Sequence, residues 1–228
     1  LGALEDWDLW IRMSRDFRFG HVSEVTCEFR WRKDGTTMTS GRKPDFVAAR
    51  QKIAGKLGGL RAVRHEKSKG KEASPAAGTL VSIIVLTHNA LEHSRKCLES
   101  LSRHTPERHE LIVVDNGSAK ETIEFLEEYR AKQPNVKTIL NRGNRGFSAG
   151  VNQGLVAARG GLMVLLNSDT IVTPGWLRGL VSVLDMNPQA GVAGPMSNYV
   201  SGPQRVSETG YGSEEDLPKF AAAWASRT

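Results

Sequence analysis

The run Val81-Ser82-Ile83-Ile84-Val85-Leu86, ended by Thr87-His88-Asn89, decides the reading of this chain. It is almost wholly aliphatic, and a strand without polar alternation is buried on both faces, as in a parallel sheet covered by helices. Working forward, Leu91, Cys97, Leu98 and Leu101 fall near helical spacing, and Leu111 to Val114 reads as a second strand. A helix is predicted over Lys120 to Lys132, with Ile123, Leu126 and Tyr129 on one face, then a strand over Val136 to Leu140. Ser148 to Arg159 reads as helix, Leu162 to Leu166 as strand, Gly175 to Met186 as helix with Trp176, Leu180 and Leu184 inward, and Ala190 to Gly194 as a short strand. This alternation predicts an α/β fold, a mostly parallel sheet covered by helices, over residues 80–228.

Working backward, residues 54–79 are rich in Gly, Lys, Ala and Ser, the composition of a flexible basic linker, with Arg61, Arg64, Lys67, Lys69 and Lys71 offset only by Glu66 and Glu72. Residues 1–53 form a separate, small helix-strand segment that holds three of the five tryptophans. A helix is expected from Asp6 to about Asp16 and a strand from His21 to Trp31.

Composition narrows the function classes. With 228 residues and 39% hydrophobic content the chain can bury a sizeable core. No apolar run approaches the roughly 18 residues of a membrane span. Cys27 and Cys97 lack the spacing of a zinc site or a disulfide framework. No secretory signal is visible, the chain reads as a fragment, and cytoplasmic residence is the expectation. The net charge of +6 favours an anionic small substrate. Without interleaved aromatics it argues against nucleic acid, while peripheral association with anionic lipid at the inner face of a membrane stays compatible.

In parallel α/β sheets ligands bind at the carboxyl ends of the strands. Four such ends carry polar groups. Thr87 and Asn89 enter a helix whose amide groups favour anions, although Asn89 would equally serve as a helix cap. Asp115 stands before Asn116-Gly117-Ser118 and could accept from a ribose hydroxyl or a pyrimidine imide, or simply close the turn. The loop Asn141-Arg142-Gly143-Asn144-Arg145-Gly146-Phe147 allows close backbone approach and two arginines for a diphosphate, or is a turn with solvated arginines. Its glycine spacing is neither the dinucleotide fingerprint nor a Walker loop. Asn167-Ser168-Asp169 ends the Leu162 strand and offers one carboxylate to Mg²⁺ or Mn²⁺, unless Asp169 caps the helix that follows.

Taken together, Val81 to Asn89, Val113 to Ser118, Asn141 to Phe147 with Asn152, and Leu165 to Asp169 followed by Thr173-Pro174-Gly175-Trp176-Leu177 resemble family 2 of the inverting glycosyltransferases. The resemblance spans about 120 residues. It implies a GT-A (Rossmann-like) fold, a base contact at Asp115, nucleotide support from Asn144, Gly146 and Asn152, and ribose and metal-diphosphate binding at Asn167-Ser168-Asp169. Asn167 departs from the Asp-x-Asp pattern, leaving Asp169 as the sole carboxylate of the triplet. Similar Asn-x-Asp forms occur among bacterial polysaccharide and rhamnosyl-type transferases.

Glu5-Asp6-Trp7-Asp8-Leu9-Trp10-Ile11-Arg12 resembles the late Glu-Asp helix of the same family. That resemblance implies Asp6 as the acceptor-activating base with Glu5 beside it, although an acidic first turn on a packed amphipathic helix accounts for the same residues. In the family this motif follows the Asp-x-Asp strand, whereas here it precedes the first strand. Two arrangements explain the order. Residues 1–53 are the C-terminal piece of a preceding module in a tandem enzyme, or they fold back onto residues 80–228 as in a circular permutant.

The expected activity is transfer of a sugar, with inversion, from a UDP- or dTDP-linked donor to a hydroxyl of a glycan or lipid-linked acceptor, in polysaccharide biosynthesis and with a divalent cation. A nucleotidyltransferase and a non-catalytic nucleotide-binding module are the alternatives. The former should carry an Arg-containing glycine loop directly after the first strand, and His88 to Glu92 supplies none. Asn198, Tyr199, Ser201 and Gln204 are candidates for the variable region after the metal strand, or a surface loop.

Overall fold

The computed structural model describes residues 18–29, 78–187, 190–198, 204–206 and 208–226. Strand β1 (Arg18–Phe29) is followed by β2 (Val81–Thr87), α1 (Leu91–His104), β3 (His109–Asp115), α2 (Lys120–Lys132) and β4 (Val136–Leu140). Then come α3 (Phe147–Ala157), β5 (Leu162–Asn167), β6 (Thr170–Val172), α4 (Trp176–Met186), β7 (Ala190–Ser197), and, after a short 3₁₀ turn, α5 (Leu217–Ala225).

β2 to β5 form a wholly parallel sheet in the order β4-β3-β2-β5. The aliphatic run sits in its middle with both faces covered, which is why its residues need not alternate. Ile83 and Val85 pack with Cys97, Leu98 and Leu101 of α1, Leu126 of α2 and Trp176, Leu177 and Leu180 of α4. Ile84 belongs to the opposite cluster, with Ile112, Val114 and Leu155 of α3. Helix α3 lies close to that face because Gly150 and Gly154 carry no side chain there: a Cβ at Gly150 would run into Leu86 and one at Gly154 into Ile84.

A second, three-stranded sheet has the order β6-β1-β7, with β1 antiparallel to β6 and parallel to β7. The strand expected from His21 to Trp31 therefore exists, shifted to Arg18–Phe29, and lies in a sheet with strands from the other end of the chain. β6 and α5 have no counterpart in the sequence reading. Three residues are too few to show a period, and α5 follows a stretch without strand or helix periodicity. The α/β class and the mostly parallel sheet agree with expectation. The expected Asp6 helix and nearly all of the linker lie outside the described residues.

At the amino edge of the parallel sheet, buried Glu110 accepts from Ser82 Oγ at 2.7 Å, the Arg159 N–H at 2.6 Å and Arg159 Nε at 3.0 Å. Burial alone would raise its pKa. The hydrogen bonds from Ser82 and Arg159, with the Arg159 charge, outweigh it and hold the carboxyl down at about 2. This network ties β2, β3 and the end of α3 together on the side away from the site.

Candidate functional site

Strand register lines up the candidate residues. Thr87 pairs with Asp115, Asp115 with Leu140, and Leu86 with Asn167. Neighbouring strands lie about 4.8 Å apart. The loops that leave β4, β3, β2 and β5 thus form one row along the carboxyl edge, and Asn141, Asp115, Thr87 and Asn167 stand at its four stations.

The loop after β2 is tied to the loop after β3. Asn89 and Ala90 both adopt left-handed backbone, with φ of 55° and 54°. The Asn89 N–H donates to Ser118 Oγ at 2.7 Å, and Asn89 Oδ1 accepts the Ala119 N–H at 2.9 Å. Asn89 therefore does not cap α1, whose N-cap is Ala90 with no side-chain cap bond. Thr87 is buried, and its hydroxyl bonds Ser94 Oγ at 2.7 Å, which seats the first turn of α1 on the end of β2.

Asp115 is fully buried at the end of β3. Its carboxylate accepts the Gly117 and Ser118 N–H groups, both at 2.9 Å, and the Ser118 hydroxyl. Three of a carboxylate's roughly four acceptor sites are thus filled within the turn, which leaves about one for a ligand. Gly117 has φ of 77°, and a Cβ there would collide with the backbone of Gly143. That close approach brings the turn after β3 against the Asn141–Gly146 loop.

The third loop rests on a lattice of side-chain amides that the sequence reading did not single out. Asn116 Nδ2 donates to the Gly146 carbonyl at 3.0 Å, and Asn141 Nδ2 to Asn116 Oδ1 at 3.1 Å. Asn141 and Gln153 exchange two bonds, of 2.8 and 3.0 Å. Asn144 Oδ1 accepts the Gly146 N–H at 2.8 Å, and Gly146, with φ of 83°, is the N-cap of α3. A helix start, with the amide groups and positive dipole end that attract anions, consequently opens at this edge. Arg142, Asn144, Arg145 and Asn152 are exposed around it. The signal available in the sequence was the recurrence of amides directly after strands, at Asn116 and Asn141.

Asn167 ends β5 with its side chain exposed, and its carbonyl accepts from Cys97 Sγ at 3.6 Å. Ser168 and the half-buried Asp169 form a two-residue turn into β6. Asp169 thus leads into a strand, where one alternative had it capping a helix. Among the described residues no three His, Cys, Asp or Glu side chains gather as a ready-made cation cage. The donor set at this corner, one carboxylate and the neighbouring Asn167 amide, fits Mg²⁺ or Mn²⁺, which take one or two carboxylates and complete their shell with phosphate oxygens and water. Glu5 and Asp6 lie outside the described residues, as do Tyr199 and Ser201.

Comparison with known proteins shows what the chain is similar to. The chain is 33% identical over 108 residues to an uncharacterized glycosyltransferase of Haemophilus influenzae, covering 47% of this chain and 33% of that protein. It is 36% identical over 96 residues to EpsH of Bacillus subtilis, a protein designated a glycosyltransferase, covering 42% and 28%. The matched stretch therefore spans about a third of the length of these relatives. A solved mannosyltransferase, PcManGT of Pyrobaculum calidifontis, in complex with GDP-Man and Mn²⁺, aligns with 24% identity over 61% of this chain and 42% of that one, with a TM-score of 0.45. The family model of glycosyl transferase family 2 matches residues 82–217, more than half of the sequence, and the chain belongs to that family.

Proposed function

We propose that residues 80–228 carry the donor-binding half of an inverting glycosyltransferase that uses a UDP- or dTDP-linked sugar. The observation that carries this reading is the single row of loops at the carboxyl edge, with the Asp115 turn in the middle and the α3 N-terminus and Asp169 toward its two ends. The one remaining acceptor position of Asp115 suits a pyrimidine imide or a ribose hydroxyl. Gly146 and the first amides of α3, flanked by Arg142 and Arg145, supply positive charge for phosphate oxygens. Asp169 and Asn167 would hold a divalent cation, which when bound stabilises charge on the departing diphosphate.

Inverting transfer needs a base within hydrogen-bond reach of the acceptor hydroxyl. Asp6, with Glu5 beside it, is assigned that role here by resemblance alone. The acceptor is a glycan or lipid-linked hydroxyl, and the basic charge of the chain is compatible with peripheral association at the inner face of a membrane. No described helix is long and apolar enough to cross a membrane.

Thermal unfolding with UDP, dTDP and ATP, each with and without Mn²⁺, tests the assignment. Stabilisation by the two pyrimidine diphosphates, strengthened by Mn²⁺, is expected. Stabilisation by the triphosphate alone would favour nucleotidyl transfer, and none by any nucleotide would remove the donor-site reading.

A further inference from the structure

The Asp169 corner depends on a strand from the opposite end of the chain. On its amino side, Asp169 is anchored by β5, where Asn167 pairs with Leu86 of the parallel sheet. On its other side the next residue, Thr170, pairs with Phe29 of β1, followed by Ile171 with Glu28 and Val172 with Cys27. The Ser168-Asp169 turn is therefore slung between two sheets, and β1 holds one of its two supports.

β1 is also the middle strand of its sheet. Along its other edge it pairs with β7, from Arg18 opposite Ala190 to Cys27 opposite Ser197. Among the described residues β6 and β7 have no other strand neighbour, apart from a bridge between Ser197 and Arg205. Without β1 they would stand two strand spacings apart, about 10 Å, each with an unpaired edge. β6 has only three residues, too few to hold a position without a neighbour. Helices α4 and α5 both pack against β1, so the loss would reach beyond the ladder.

We propose that residues 18–29 are a docked complementing strand: this chain's own N-terminal segment fills the slot between β6 and β7 and fixes the backbone that presents Asp169. The mode is strand addition, in which main-chain hydrogen bonds provide most of the hold. The occupant is the same chain, whose β1 pairs with its own β6 and β7, and residues 30–77 between β1 and β2 can extend well beyond ~100 Å, which permits this docking. That β1 fills the slot stands on the strand pairing. Its consequence for donor affinity rests on the function proposed above.

The test uses the full chain with a specific protease site inserted between residues 60 and 70. After cleavage the two pieces should remain together in native gel filtration, with the mass of one chain, and Mn²⁺-dependent UDP affinity should stay within about twofold of the uncut protein. Pieces that separate without denaturant overturn the proposal, as does an assembly with the mass of two chains, which would mean that the slot is filled by a second copy. In a parallel variant, Cys27→Pro removes a backbone donor from the residue that pairs with both Val172 and Ser197. Amide exchange should accelerate at residues 170–172 and 190–197 while residues 81–87 and 111–115 stay protected. Unchanged exchange in β6 and β7 would contradict the proposal, and if the variant fails to fold the cleavage result decides. Co-elution and exchange are read without any donor, so failure of the donor-site reading leaves this test intact.

Discussion

Asn89 and Ser118 lock two loops of the site together. The Asn89 N–H donates to Ser118 Oγ at 2.7 Å, while the Ser118 hydroxyl hydrogen is given to the Asp115 carboxylate. A relay thus runs from a left-handed residue after β2, through one hydroxyl, to the buried carboxylate after β3. It fixes which acceptor positions of Asp115 are filled within the turn.

Ser118→Ala cuts this relay at its centre. A net hydrogen bond is worth about 1 kcal/mol, and leaving buried partners unsatisfied costs about 1–3 kcal/mol. UDP affinity is expected to fall by about fivefold to a hundredfold, with Ser118→Thr restoring most of it. Fluorescence or calorimetric titration of the two variants provides the check.

Gly117→Ala should be more damaging than its size suggests. The position has φ of 77°, and the added methyl would meet the Gly143 backbone. Left-handed strain for a non-glycine residue costs about 1–3 kcal/mol, and relief requires the Asn141–Gly146 loop to move. Reduced thermal stability together with weaker nucleotide binding is expected. Gly143→Ala, where a Cβ meets nothing within 4 Å, is the matched control and should leave both within error.

Glu110 sets an acid limit on the fold. Its folded pKa, about 2, lies below its ordinary value of 4.5. A depressed carboxyl contributes stability that is complete above the unfolded value and is lost as pH falls through the folded one. The denaturation midpoint should therefore hold down to about pH 5 and fall between about pH 4.5 and 2. Arg159 and Lys137 are exposed, so added salt should screen their part of this, while the hydrogen bonds from Ser82 and the Arg159 backbone amide to Glu110 remain. Glu110→Gln should lower stability at pH 7 and flatten that acid slope.

Much of the fold and of the site edge is legible in the amino-acid sequence. The aliphatic run at Val81 announces a strand covered on both faces, and the helices between strands have clear periods. The polar residues after each strand line the carboxyl edge of the sheet, because strand ends are where a parallel sheet exposes its loops. What stays hidden is non-local. Thr87 reads as a group at the ligand edge, yet its hydroxyl is engaged by Ser94 of α1. The Asn116-Asn141-Gln153 lattice depends on register between strands, which no local pattern encodes. β6 has too few residues for a period. The insertion of β1 between β6 and β7 is a pairing across more than 140 residues of sequence, so composition reveals the segment and its strand but not its seat.

The proposed function centres on one role, binding of the diphosphate end of a nucleotide at the Asp169 corner through a divalent cation. Calorimetric titration of UDP into the wild-type chain and into Asp169→Asn, each in Mn²⁺ and in EDTA, tests this most directly. Mn²⁺ is expected to strengthen binding to the wild type by at least tenfold, and Asp169→Asn to abolish this gain while keeping the weaker, metal-independent affinity. An equal Mn²⁺ gain in both proteins, or no binding of UDP to the wild type under either condition, would contradict it.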